Sequence, residues 1–173
     1  RPSRASRRRR GPTSHPPGAT VSVREIETSS PEETEALGAA LGRAARGGEL
    51  VGLVGDLGTG KTCLVRGLAA GLGIDPERVH SPTFVIVHEH HGGRLVLQHV
   101  DLYRLERPND EEPFLREVLY GPGVAAVEWF DRLPPEAGEE ALLVTLRHVA
   151  GDRRVIRLDA RGERHASWLA AVP

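Results

Sequence analysis

The eight residues Gly55-Asp56-Leu57-Gly58-Thr59-Gly60-Lys61-Thr62 constrain this chain more than any other stretch. They match G-x-x-x-x-G-K-[ST], and their surroundings suit the motif. The apolar run 49–54 (ELVGLV) reads as a strand buried on both faces, and Lys61 to about Leu72 as a helix ended by Gly73. Glycines let backbone N–H groups turn inward around phosphate oxygens, and the helix N-terminus adds the positive end of its dipole. The spacing therefore predicts a P-loop for a nucleoside triphosphate with Mg²⁺, its cradle running from Gly55 to Cys63. Lys61 is placed to reach the β- and γ-phosphates, and the Thr62 hydroxyl is a hard oxygen suited to Mg²⁺. The plainer alternative is a glycine-rich turn with no ligand.

Of the 23 basic residues, Lys61 is the only lysine. Elsewhere guanidinium suffices; here the chain keeps a compact ammonium on a thin stem. The same count argues against a guanine-specific GTPase, whose N/T-K-x-D motif needs a second lysine. No D-x-x-G follows a strand either. ATP becomes the default, which leaves an ATPase that drives a partner, a small-molecule kinase, or a nucleotide-dependent scaffold. The stretch 104–116 (RLERPNDEEPFLR) interleaves acids with its arginines, which suits a phosphate-covering kinase lid poorly.

Local patterns extend this into a fold. Residues 20–27 alternate apolar and polar, as a half-buried strand does. Ser30-Pro31-Glu32-Glu33 is a capping box for a helix to about Arg46, with Leu37, Ala40, Leu41 and Ala44 or Ala45 as its buried stripe. Residues 83–87 and 94–101 read as strands joined at His91-Gly92-Gly93. A loop with a short helix is expected over 107–120, a buried strand over 124–127, a hairpin of 141–148 with 153–159, and a closing helix over 163–171. Strands alternating with helices near the glycine loop predict an α/β protein of P-loop NTPase fold, its sheet mainly parallel with antiparallel strand additions.

A P-loop needs an acid that helps to hold magnesium, usually at the end of a buried strand. Asp101 and Glu128 both have that setting. One can hold the metal while the other polarises the attacking water, and the sequence leaves the assignment open. For either, capping of loop amides is the plainer role. Thr83, in Ser81-Pro82-Thr83, is a candidate γ-phosphate sensor or an ordinary turn residue. His88, His90, His91 and His99 crowd the first hairpin, but with one cysteine in the chain they read as exposed histidines and not a zinc site. Tyr103 and Trp129 read as core or partner-facing aromatics.

Composition sets the outer bounds. The 173 residues are 39% hydrophobic and 27% charged, as in a globular protein, and no apolar run approaches the ~20 residues of a membrane span. The net charge of −1 hides six arginines within residues 1–18, so the remainder is acidic. The tail, rich in Arg, Pro, Ser and Gly, reads as disordered, with 19–173 as one P-loop ATPase domain. A lone cysteine, Cys63, rules out a disulfide framework and points to the cytoplasm.

Several elements in order resemble the TsaE (YjeE) family, P-loop ATPases of bacterial tRNA threonylcarbamoyladenosine formation. They are Ser30-Pro31-Glu32-Glu33-Thr34 with Leu37-Gly38, the glycine loop, Ser81-Pro82-Thr83-Phe84, Asp101-Leu102-Tyr103-Arg104-Leu105 and Val127-Glu128-Trp129. The resemblance implies an ATPase that works with a TsaB–TsaD pair to modify adenosine 37 of tRNA, meeting tRNA only through that complex. It implies that Lys61 and the loop amides hold phosphates and that Thr62 ligates Mg²⁺. Glu128 would be the metal-associated acid, Asp101 the second acid, Thr83 the switch threonine, and Thr34 a residue lining the nucleotide pocket. Three departures stand out: Thr59 where the family usually has Ala, Cys63 where it has a second Thr, and Phe130 in place of a common proline. Cys63 lacks a hydroxyl for the α-phosphate, which implies weaker nucleotide binding. The segment 107–121 also differs, which implies a different contact with the partner or ordering only in the complex.

Overall fold

The computed structural model describes residues 21–82, 86–106, 108, 109 and 113–173. The basic tail and Thr83 lie outside the described residues. In chain order the elements are β1 (Val21–Thr28), α1 (Pro31–Ala44), β2 (Glu49–Val54), α2 (Lys61–Gly71), β3 (Val87–His90), β4 (Leu97–Asp101), α3 (Pro113–Leu119), β5 (Val124–Glu128), β6 (Leu142–Ala150), β7 (Arg153–Arg161) and α4 (Glu163–Ala170). The strands form one seven-stranded sheet in the order β1-β7-β6-β2-β5-β4-β3. Its centre, β6-β2-β5-β4, is parallel, and both edges are antiparallel.

Alternation along the central strands supplies two cores. Val51 and Leu53 of β2, with Val124 and Ala126 of β5, face the side covered by α1, α2 and α4. Leu50, Val100, Ala125 and Val127 face the opposite side, where α3 and the turn at Phe130–Arg132 pack. Gly52 of β2 lets the Phe130 ring lie against the strand, since a Cβ there would stand 2.5 Å from the ring. Phe130 thus fills the second core.

The capping box forms: Ser30 Oγ accepts from the Glu33 N–H (3.2 Å), and the Glu33 carboxylate reaches back to the Ser29 N–H (2.7 Å). The buried stripe of α1 differs from the apolar one expected, because it includes Gly38 and Gly42. These two meet Gly67 and Gly71 of α2, so the helices touch backbone to backbone. In β1, Val21 and Val23 are exposed while Ser22 and Arg24 are half-buried, against the expected alternation, although Ile26 on the latter face packs on the core. Arg24 accounts for part of this, since its guanidinium donates to the carbonyl of Val172 and ties down the C-terminus.

The first hairpin is shorter than its sequence suggests: β4 begins at Leu97, and Ile86 is a bend. Its histidines are not uniformly exposed, which corrects the sequence expectation. His99 is fully buried and His90 nearly so. Burial, with the charges of His99, His88, Arg78 and His80 adding to it, pulls the pKa of His90 from 6.5 to about 4. Below pH 6.5 the unfolded chain therefore takes up a proton that the folded chain refuses until about pH 4. His90 favours folding fully above that window and progressively less within it, at up to about 1.4 kcal/mol per pH unit. Melting temperature should accordingly fall more steeply between pH 7 and pH 5 in the wild-type chain than in His90→Leu. Parallel slopes would rule out His90 as a source of acid lability.

Candidate functional site

The carboxyl ends of β2, β4 and β5 lie side by side, where open α/β sheets bind ligands. Asp101 and Glu128 are register partners at the ends of β4 and β5. The glycine loop leaves β2 on the neighbouring strand and delivers Lys61 and Thr62 to the first turn of α2. Together they border a cleft of about 570 Å³.

The loop has the backbone its glycines permit. Gly58 and Gly60 have φ of 78° and 104°, values that strain any residue with a Cβ. Gly55 packs so closely on β6 that a Cβ would stand 2.6 Å from the carbonyl oxygen of Leu146. Thr59 is buried; its hydroxyl donates to the Asp56 carbonyl (2.8 Å), and its own carbonyl accepts from Arg154 Nε (3.1 Å). Arg154 thus braces the loop from β7, a role invisible without the β6–β7 hairpin in place.

Lys61 is 5% exposed and is held within the loop, its ammonium donating to the carbonyls of Gly55 (2.6 Å) and Asp56 (2.9 Å). Burial lowers its pKa, and the carboxylates of Glu128, Asp101, Asp131 and Asp56 push it back up. The Trp129 ring lies over the ammonium at 4.3 Å, and Tyr103 packs against that ring at 5.1 Å. Trp129 has φ 60°, the one positive φ outside glycine among the described residues. Cation–π contact gives a bulky residue in that conformation a purpose. The sequence reading of Trp129 and Tyr103 as core or partner-facing residues missed this wall.

The two acids are held differently. Glu128 is 3% exposed, and its Oε1 accepts from the Thr62 hydroxyl (2.8 Å) and contacts His99 Nε2 (2.8 Å). Asp101 accepts from the Ser81 hydroxyl on Oδ2 (2.9 Å) and from the Tyr103 N–H on Oδ1 (2.8 Å). Arg132 fixes the turn that carries Tyr103, donating to the carbonyls of Leu102, Tyr103 and Leu105. Hydroxyl and carboxylate oxygens are the donors Mg²⁺ selects. Among the described residues no cage of three His, Cys, Asp or Glu exists, and Mg²⁺ bound with phosphates and water does not require one.

Of the residues singled out in the sequence, Leu57, Gly58, Gly60, Lys61, Thr62, Cys63, Asp101 and Glu128 line the cleft. Gly55, Asp56 and Thr59 form the loop behind it. Thr34 is buried, its hydroxyl engaged with Thr28 Oγ1 (2.9 Å) and the Ser30 carbonyl (3.3 Å). It backs onto Gly60 and is not among the lining residues. Cys63 turns its thiol to the Pro31 carbonyl (3.3 Å), and burial raises its pKa to about 11. It is therefore a protonated thiol at neutral pH and no nucleophile. His99 carried a signal that was overlooked: with a period of two it shares a face of β4 with Asp101.

No described helix is long and apolar enough to cross a membrane. The family described as "Threonylcarbamoyl adenosine biosynthesis protein TsaE" matches residues 28–156. A Bacillus subtilis protein named tRNA threonylcarbamoyladenosine biosynthesis protein TsaE is 39% identical over 138 residues, covering 80% of this chain and 86% of its own. Its Treponema pallidum namesake is 41% identical over 128 residues, covering 73% and 93%. The crystal structure of YdiB from Bacillus superposes with a TM-score of 0.71 at 32% identity, covering 88% of this chain and 95% of that one. A glycine loop between β2 and α2, two acids at adjacent strand ends and this span of likeness lead to one conclusion: the chain belongs to the TsaE family of threonylcarbamoyl adenosine biosynthesis proteins.

Proposed function

We propose that this chain is a Mg²⁺-dependent ATPase of slow intrinsic turnover. It serves threonylcarbamoylation of adenosine 37 in tRNA together with a TsaB–TsaD pair in the cytoplasm, and meets tRNA through that complex. The observation that carries the reading is the contact of the Thr62 hydroxyl with the Glu128 carboxylate, one residue from the buried ammonium of Lys61. A hydroxyl, an acid and a cation gathered at the mouth of the glycine loop support a role in handling the terminal phosphates.

In this reading Lys61 and the N–H groups of the loop from Gly55 to Cys63 hold the phosphates. Thr62 and Glu128 hold Mg²⁺, with Asp101 as the second acid. Mg²⁺ held there would supply positive charge against the negative charge that develops on the phosphate oxygens. Asp101, oriented by Ser81 and the Tyr103 N–H, accepts the hydrogen bond that aims the attacking water. Thr83 is the switch residue that senses the γ-phosphate, and Thr34 supports the nucleotide side of the loop from behind. Trp129 and Tyr103 shield the ammonium from bulk water, which strengthens its attraction for phosphate.

The test is phosphate release from ATP with and without a purified TsaB–TsaD pair. Stimulation by the pair supports the reading, and unstimulated phosphoryl transfer to a metabolite would replace it with a kinase. Glu128→Gln should lower stimulated release by about a hundredfold while changing ATP affinity severalfold at most. Equal loss of both would make Glu128 a structural group.

A further inference from the structure

The fully buried imidazole of His99 lies 2.8 Å from Glu128 Oε1, the same oxygen that accepts from Thr62. No other hydrogen bond to this carboxylate is found among the described residues, which leaves Oε2 for the cleft that Glu128 lines. We propose that His99 is a positioning residue for hydrolysis, anchoring Oε1 of Glu128 so that Oε2 is the oxygen presented to the nucleotide site. The proposal rests on the ATPase reading above.

The geometry makes His99 more than a neighbour. An ionised carboxylate only accepts, so Nε2 must carry the hydrogen. The other ring nitrogen, Nδ1, is buried with no partner among the described residues, so the Nε2 contact is the one polar interaction found to hold the ring. His99 is in register with Ala126 on β5, and that small side chain leaves room for the ring to cross toward Glu128. Other described groups near this pair are the His90 ring at 6.2 Å, the Thr62 hydroxyl, the Asp101 carboxylate and the Lys61 ammonium. Were Thr62 to ligate Mg²⁺ through an oxygen lone pair, its O–H could still donate to Oε1, and His99 would share the anchoring of that oxygen, as second partners of metal-site carboxylates commonly do.

Two sets of measurements decide this. The first is phosphate release by His99→Leu, His99→Gln and each combined with Glu128→Gln, in the complex with TsaB–TsaD. His99→Leu should lower release 10- to 100-fold with ATP affinity changed less than about threefold. His99→Gln, which keeps an N–H donor, should recover part of the loss. Neither should add to the loss in Glu128→Gln, because a positioning residue acts only through the group it positions. Additive losses, or a fall in melting temperature with release per folded molecule unchanged, would overturn the proposal.

The second set needs no activity: ¹⁵N resonances of the His99 ring in the full chain. The wild-type chain should show a fixed Nε2–H tautomer that becomes mixed in Glu128→Ala. An Nδ1–H tautomer, or one indifferent to Glu128→Ala, would also overturn the inference. Should the wild-type complex release no phosphate, the ATPase reading falls, and the tautomer still decides whether His99 anchors Glu128.

Discussion

Lys61→Ala should abolish ATP hydrolysis and weaken Mg²⁺–ATP binding at least tenfold while leaving the fold intact. The chain has no second lysine to substitute, and Arg154, which braces the loop, spends Nε on the Thr59 carbonyl from outside the cradle. Loss of a preorganised donor aimed at developing negative charge commonly lowers turnover by about 10²–10³-fold. Folding should tolerate the change for two reasons. Alanine is the best helix former, so α2 keeps its first turn. Removing a buried cation also removes the desolvation that lowers the Lys61 pKa, which offsets the loss of its bonds to Gly55 and Asp56. Lys61→Arg should fail nearly as badly, because a planar, bulkier guanidinium cannot reproduce the bonds of a compact ammonium to both Gly55 and Asp56 under the Trp129 ring. Calorimetric titration with Mg²⁺–ATP, phosphate release and circular dichroism check each part. Wild-type affinity in Lys61→Ala would remove the P-loop from the account.

What could be read from the sequence was what short-range chemistry decides. The Ser30 cap, the stop of α2 before Gly73, the buried strands β2 and β5, and the loop between β2 and α2 are each written within a few neighbouring residues. The order of strands is not. Nothing local tells β6 to lie beside β2, although they are about 90 residues apart, yet that pairing brings Arg154 to Thr59. The same holds for His99, which meets Glu128 only because β4 and β5 are neighbours. The exposed face of Val21 and Val23 was misread because alternation gives a period and not a direction: which face turns inward depends on α4 and the C-terminus, held by Arg24. Trp129 packs against the second core as expected, but its contact with Lys61 was not legible, because a positive φ at tryptophan has no sequence signature.

Glycine at position 67 of α2 should be the least replaceable of the buried glycines, and Gly67→Ala decides between two opposite expectations. Taken alone, α2 should gain about 1 kcal/mol from alanine, since glycine is a poor helix former. The contact says the reverse. A Cβ at Gly67 would stand 2.0 Å from the carbonyl oxygen of Glu35, with that residue's C and Cα at 2.7 and 2.8 Å. These are backbone atoms of α1, which cannot rotate away as a side chain end can. The helices would have to separate, and the sites at Gly38, Gly42 and Gly71 hold them equally close, at 2.2 to 2.3 Å from opposing carbonyl oxygens. Moving α2 outward shifts Lys61 and Thr62 away from Glu128 and opens the core around Leu41, Leu64 and Leu68. Overpacking of this kind costs about 1–3 kcal/mol or more, so Gly67→Ala should be destabilised overall, by up to about 10 °C in melting temperature. Ala70→Val, on the exposed side of the same helix, should change stability by less than about 1 kcal/mol. The sign is the test. A Gly67→Ala chain that melts above the wild type would mean that propensity wins and the helices are free to part. One that melts below it, with phosphate release per folded molecule also reduced, would show that the spacing of α1 and α2 sets the place of the lysine as well as the stability of the core.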